Sequence, residues 1–302
     1  KMYPVYKNIG TKENCEVVKV NFPPQHQDCH PGLEYLMNPR PISENVNYKG
    51  SNKLEDKVAI ITGGDSGIGR AVAYAFAKEG ANIVIAYLNE DEDASETCEH
   101  VETLGRKCIA IKGDLQKEEN CKLVIDKTLE EFGKIDILVN NHAVQYIQQS
   151  ILDIDEEQLE KTFRTNIFSF FYLVKAALPH LKSNSSIINT TSVTAFKGEE
   201  LLIDYSATKG AILAFTRSLS QSLVEDKIRV NAVAPGPIWT PLITSSFNSE
   251  EVETFGSLRS KVPMDRAGQP YEVANAYVFL ASDDSSYMTG QVLHINGGNI
   301  VG

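Results

Sequence analysis

The sequence predicts an α/β fold, a single doubly wound parallel sheet of about seven strands with helices on both faces. Three observations carry this. Beyond Lys53, short β-branched runs alternate with longer stretches of helical period. Most of the runs are continuously apolar, as strands covered on both faces must be. The first of them leads through a glycine-rich turn directly into a helical pattern.

In chain order, the strands are expected at residues 58–61, 83–87, 108–112, 135–140, 186–190, 229–234 and 291–295. Helices are expected at 68–78, 94–104, 120–132, 156–181, 205–224 and 272–281. Neither a repeat nor a linker divides this region, so residues 51–302 read as one domain. Residues 1–50 differ. Pro23, Pro24, Pro31, Pro39 and Pro41 stand among turn formers with no sustained period, which predicts an extended arm rather than a folded unit.

The formal net charge of −11 speaks against nucleic acid and anionic membrane as partners, since both would repel the chain. The longest apolar runs are strand-length, so no membrane span is expected, and the start of the chain carries no secretory pattern. The five cysteines (Cys15, Cys29, Cys98, Cys108 and Cys121) are scattered and never spaced as CxxC. Neither a disulfide framework nor a structural zinc site is expected, and a reducing cytoplasm is the simpler setting. His26, Cys29 and His30 match no zinc spacing, and are read as a surface segment.

Two motifs carry chemistry. Gly63, Gly67 and Gly69 form a GxxxGxG turn, with Asp65, Ser66 and Ile68 between them. Such a turn lets backbone N–H groups approach a pyrophosphate at a helix N-terminus. By itself it could equally be a tight strand–helix connection. Its place between the first strand and the first helix favours the phosphate. Downstream, Tyr205 and Lys209 stand four apart, one turn from each other on one helix face. A free tyrosine ionises near pH 10, too high for acid–base work at neutral pH. A lysine cation beside it favours the phenolate and lowers that value. A lone pair of this spacing is equally a surface contact. Ser192 lies just beyond the end of a strand, where ligands gather, and Asn166 stands inside a helical stretch that disfavours asparagine. Such an asparagine fits a water-holding role or a local distortion of the helix.

From about Leu54 to Gly298 the chain resembles the short-chain dehydrogenases/reductases. The ordered motifs are Thr62–Gly69, Gly113-Asp114-Leu115, Asn140-Asn141, Asn166, Ser192, Tyr205 to Lys209 and Pro235-Gly236-Pro237. Within the family it is most similar to bacterial stress-associated oxidoreductases with a proline-rich arm, here including Met37 to Pro41. The resemblance implies a Rossmann-type sheet and hydride transfer between NAD or NADP and a small carbonyl or alcohol. It further implies that Gly63, Gly67 and Gly69 cradle the pyrophosphate and that Asp114 and Leu115 meet the adenine. Asn140 would sit by the adenosine ribose and brace the central strand. Tyr205 would donate the proton, oriented by Ser192, and Asn166 would hold a relay water. Lys209 would bind the nicotinamide ribose and depress the tyrosine pKa. Pro235, Gly236, Ile238 and Thr240 would meet the nicotinamide.

Two departures from the family pattern matter. His142 follows the asparagine pair where the family usually has alanine, and it either lines the nicotinamide side or packs structurally. Tyr87 and Leu88 stand where an aspartate would mark NAD or an arginine NADP. The acidic run Glu90 to Asp93, with Asp65, would repel a 2′-phosphate and leans the choice to NAD. It also reads as a solvated helix N-terminus. The alternatives to a redox enzyme are an epimerase or dehydratase on the same fold, or a cofactor-binding sensor or scaffold. The substrate pocket is expected from residues 142–146, 193–204 and 241–261. A homotetramer is expected, with the arm across the body or a neighbouring subunit, and with Phe22, Leu33, Tyr35, Leu36 and Met37 filling grooves.

Overall fold

The computed structural model describes residues 10–14, 16–257 and 260–301. Within the arm, β1 (Gly10–Asn14) and β2 (Glu16–Val20) pair antiparallel, so this stretch is not merely extended. The β-branched residues around Val17 and Val18 have the strand propensity that a reading centred on prolines passes over.

The main sheet holds β3 (Val58–Thr62), β4 (Asn82–Tyr87), β5 (Cys108–Lys112), β6 (Ile137–Asn140), β7 (Ser186–Thr190), β8 (Arg229–Pro235) and β9 (Val292–Ile295). All seven run parallel, in the order β5-β4-β3-β6-β7-β8-β9. The helices are α1 (Gly67–Lys78), α2 (Asp91–Thr103), α3 (Glu118–Phe132), α4 (Glu156–Phe163), α5 (Ser169–Ala177), α6 (Thr194–Lys197), α7 (Ile203–Ser222), α8 (Pro241–Thr244), α9 (Ser249–Glu253) and α10 (Pro270–Ala281). Among the described residues, no helix is long and apolar enough to cross a membrane.

Strand alternation divides the core. Ala59 and Ile61 of β3 join a cluster with Phe76 of α1 and Tyr277 of α10, while Val58 and Ile60 face Val124 and Ile125 of α3 and Leu173 of α5. Phe76 is wholly buried, which contributes on the order of 1.5–3 kcal/mol for that side chain. Because β3 neighbours both β4 and β6, the winding reverses between β3 and β6 and leaves a crevice at the strands' carboxyl ends.

The helix expected over 156–181 is divided. A π-helical turn, Arg164–Phe168, separates α4 from α5, and Asn166 sits inside it. This is the local distortion its side chain suggested.

Five cysteines without a pattern predicted no disulfide framework, yet the structure joins Cys98 of α2 to Cys108 of β5. Packing α2 over β5 sets their Cα atoms 5.0 Å apart, a neighbour relation invisible in the sequence spacing. Cys29 and Cys121 are free, and Cys15 lies outside the described residues.

From Phe22 onward the arm is fastened along the body. Phe22 stacks on Trp239 with ring centroids 3.8 Å apart, and the Trp239 indole N–H donates to Pro39 O at 2.9 Å. Met37 is buried in the same cluster, while Leu36 stays exposed. At the other end, the N–H groups of Ser51 and Lys53 donate to Glu79.

Between these points Glu34 enters a buried ion cluster. The Arg70 guanidinium lies 2.9 Å from Glu34 and 3.1 Å from Asp93, and its Nε donates to Asp65 O at 2.8 Å. Asp93 also accepts the N–H groups of Glu34 and Tyr35. Burial pushes the Glu34 carboxyl up to about 6, against the opposing pull of Arg70. Removing one member of a buried ion set leaves the others desolvated and uncompensated. Arg70→Ala is therefore expected to lower unfolding free energy by about 3–5 kcal/mol in urea titrations. Lys122→Ala, which breaks an exposed i,i+4 pair with Asp126, should leave the midpoint nearly unmoved. Equal effects of the two changes would refute the role given to the cluster.

Candidate active site

A cavity of about 660 Å³ opens at the carboxyl ends of the strands. Its floor is the glycine turn. Gly63 and Gly67 adopt left-handed φ values of 63° and 51°. A Cβ on Gly69 would lie 1.9 Å from Gly63 O, so this glycine allows helix and turn to pack and does not line the cavity. The Ser66 side chain does not cap α1, and of the N–H groups in its first turn Glu34 takes that of Gly67, at 2.6 Å. The positive end of the α1 dipole thus faces a concave site suited to an anion.

Asp65, Ser66, Ile68, Tyr87, Leu88, Glu90, Asp114 and Leu115 line one end of the cavity. The acidic run is not uniform: Asp91 and Glu92 are exposed, whereas Glu90 and Asp93 are buried, as is Asp65. Burial and the charge of Glu90 raise the Asp65 carboxyl well above the usual range, and burial raises Glu90. Asn140 is turned into the sheet, where its amide donates to Asn189 of β7 at 2.9 Å. Asn141, not Asn140, lines the cavity.

Tyr205, Lys209 and Ser192 converge at the centre of the wall, with Pro235, Gly236, Ile238 and Thr240 beside them. The Lys209 ammonium donates to Thr190 O at 3.0 Å and lies 5.3 Å from the Tyr205 ring centroid. Here the expectation for the tyrosine is corrected. Burial drives the Tyr205 phenol up to about 12, with a hydrogen bond from Ser192 opposing it. Burial also drives Lys209 down to about 7, so the lysine itself is only partly charged near neutrality and gives little Coulombic help.

Asn166 does not line the cavity. Its Oδ1 accepts from Val144 N at 2.8 Å, and its Nδ2 donates to Val144 O and to Thr208 Oγ1. It ties the segment after β6 to α7, and so positions Tyr205. His142 lines the cavity and is also fixed in place, with Nδ1 against Thr62 Oγ1 at 2.7 Å and Nε2 against Ser169 Oγ at 2.9 Å. Burial, then the Lys209 charge, holds it neutral with a pKa of about 3.

Sequence reasoning missed Thr190, whose hydroxyl contacts Tyr277 OH at 2.7 Å and donates to Asn141 Oδ1 at 3.2 Å. Three successive hydroxyl residues, Thr190, Thr191 and Ser192, at the end of a buried strand were the available signal. It also missed His30. Read as surface, this side chain lines the cavity, because the arm folds back over residues 241–247.

The family model described as enoyl-(acyl carrier protein) reductase matches residues 63–299. General stress protein 39 of Bacillus subtilis is 58% identical over 92% of this chain and 96% of its own length. Glucose and ribitol dehydrogenase of Daucus carota is 57% identical over 93% of this chain and 97% of its own. NADPH-dependent aldehyde reductase 1, chloroplastic, of Arabidopsis thaliana is 56% identical over 92% and 98%. Among solved structures, 3-ketoacyl-(acyl-carrier-protein) reductase from Brucella melitensis, complexed with NADH, superposes with a TM-score of 0.74. It is 32% identical and covers 82% of this chain and all (100%) of that one. With the ordered motifs, the parallel sheet and the glycine turn above, these matches show that the chain belongs to the short-chain dehydrogenase/reductase family of NAD(P)-dependent oxidoreductases.

Proposed function

We propose that the chain interconverts a small carbonyl and its alcohol, with Tyr205 as the group that gives or takes the proton. The observation that carries this is the convergence of Ser192, Tyr205 and Lys209 on one cavity whose floor is the glycine turn. The nicotinamide dinucleotide fits that cavity: Gly67 has no side chain to fill the cradle, and a Cβ there would approach Thr240 to 3.0 Å. The turn of Gly63, Ser66, Gly67 and Ile68 would hold the pyrophosphate, Asp114 and Leu115 the adenine, and Lys209 and Thr240 the nicotinamide half. Bound there, the dinucleotide supplies or accepts the hydride.

The chain's own groups do the rest. Ser192 and Tyr205 hold the substrate oxygen, and the phenol, neutral at physiological pH, delivers its proton there. Lys209 is braced by its bond to Thr190 O, and Thr191 Oγ1 donates to Lys209 O at 2.7 Å, which fixes the helix turn. Asn166 acts through its hold on Val144 and Thr208. Relatives named for an aldehyde, and for glucose and ribitol, support a carbonyl–alcohol pair. Tyr205→Phe should reduce kcat by a factor of 10³ or more, while the dissociation constant for NADH changes less than about threefold. Activity within tenfold of the parent would sink the assignment.

Both cofactors occur among similar proteins, one named for NADPH and one holding NADH, so the choice rests on the adenosine end. There Asp65 and Glu90 line the wall and no arginine follows β4. A 2′-phosphate dianion would meet Asp65 and Glu90 and push their already raised pKa values higher still. NAD(H) is expected to bind at least as tightly as NADP(H) by fluorescence titration, and markedly tighter NADPH would reverse the preference.

The assembled form is a homotetramer. Phe168 and Phe171 remain exposed although Ile167, Phe170 and Leu173 are buried within the chain. On α7, Ala207, Ala214 and Ser218 present an exposed surface of small residues. Together these faces suit close packing of helices from a second copy. Light scattering should give four times the chain mass of 33.4 kDa, and a monomer would end the claim.

A further inference from the structure

We propose that His30, carried into the cavity by the N-terminal arm, is a specificity-determining residue that accepts a hydrogen bond from a hydroxyl of a polyhydroxylated substrate, beside Gln145 and Tyr146. This rests on the carbonyl–alcohol reading above and names the class of substrate for it.

The segment that bears His30 is a built loop. Gln27 N donates to Thr244 O at 2.8 Å, and the Gln27 side chain closes the loop through both its amide oxygen and nitrogen on the Leu33 backbone. Gly32 seats it against α8, where a Cβ would come within 2.6 Å of Pro241 O. His30 Nδ1 lies 3.0 Å from Ser245 Oγ, and its ring lies 5.1 Å from that of Tyr146. Among the described residues, five that line the cavity carry a buried side-chain atom without a partner: His30 Nε2, Gln145 Nε2, Tyr146 OH, Thr165 Oγ1 and Asn299 Oδ1. Buried polar atoms are rarely left so. His30 and Tyr146 are in ring contact and Gln145 precedes Tyr146, so these three lie together at the cavity, where a ligand's polar atoms would satisfy them.

The donor pattern identifies the ligand. The Ser245 hydroxyl donates to Pro241 O at 2.9 Å, so it receives the hydrogen of His30 Nδ1. Nε2 then carries the lone pair and can only accept. Burial, then the charge of Lys161, holds the ring neutral, with a pKa of about 4. The wall therefore offers an acceptor at His30, a donor at Gln145, and a hydroxyl of both kinds at Tyr146. A phosphate or carboxylate could pair with Lys161, whose ammonium lies 5.4 Å from the Tyr146 ring centroid, but would still meet the His30 lone pair. An alkyl chain would leave all of these atoms unpaired. Substrate hydroxyls, each donor and acceptor, satisfy them.

The test compares D-erythrose with butanal, four-carbon aldehydes that differ in their hydroxyls, using the intact chain with NADH and NADPH. The parent should favour erythrose at least tenfold in kcat/KM. His30→Phe should lose tenfold or more on erythrose through KM, change less than twofold on butanal, and keep the parent's dissociation constant for the reduced cofactor. His30→Gln, which restores an acceptor, should recover much of the erythrose activity. Equal losses on both aldehydes, no loss on either, or failure of the glutamine to rescue a folded protein would overturn the proposal. If butanal is reduced and erythrose no better, the proposal falls and the reductase reading stands. If neither aldehyde is reduced with either cofactor, the reading falls as well.

Discussion

The Arg70 guanidinium, sealed between α1, α2 and the arm, joins three segments that are distant in sequence. It holds the glycine turn through Asp65 O, the arm through Glu34, and the start of α2 through Asp93. A cation at 2% exposure is costly to desolvate, and two carboxylates plus backbone oxygens offset that cost only in a fixed geometry. The rigidity is transmitted to the site. Glu34 Oε2 takes the Gly67 N–H, so an arm carboxylate sits at the N-terminus of the helix that leaves the glycine turn. The dipole there favours that negative charge, as it would favour a pyrophosphate. Arg70 supplies the positive charge that would let a bound anion share the region with Glu34.

The same desolvation governs the chemistry. Tyr205 and Lys209 are each 8% exposed or less, and burial disfavours the charged form of both. Burial keeps the phenol protonated and leaves the lysine only partly charged near neutrality, so neither charge does much to steady the other. At rest the phenol holds its proton, which is the state needed to protonate an oxyanion formed by reduction. Oxidation in the other direction first needs that proton removed. Ser192 is the one neighbour that already favours the phenolate, because its hydrogen bond strengthens as charge develops on the tyrosine oxygen.

The sheet was legible because doubly covered strands write themselves as continuous apolar runs. All seven fall where such runs stand, with ends displaced by no more than two residues. Much of the cavity lining was legible for the same reason: residues at the carboxyl ends of those strands must line the crevice. Tertiary choices were not legible. Gly69 and Asn140 belong to the right motifs, yet one spaces a helix from a turn and the other bridges two strands. The division of 156–181 was signalled by Asn166, but not which atoms it would bind. For His142 the sequence offered lining or packing, and the structure shows a cavity-lining ring whose two nitrogens are held by Thr62 and Ser169. The Cys98–Cys108 bridge depends on α2 lying over β5, and no spacing rule encodes that.

The arm was least legible, and for a physical reason. Its composition lacks the periodicity that marks a core-forming element, since its stability comes from partners elsewhere: Trp239 for Phe22, Arg70 for Glu34, Gln269 for Ile42. Such contacts leave no local trace. Yet His30 and Glu34 are only four residues apart, one lining the cavity beside Tyr146 and the other bonded to the first residue of α1. A chain so short, pinned by Gln27 and Gly32 at one end and Arg70 at the other, cannot move one contact without straining the other. The wall that would meet the substrate and the turn that would meet the pyrophosphate are therefore held by one piece of backbone. The arm belongs to the site, and the family's common domain, taken alone, would lack one of the cavity's walls.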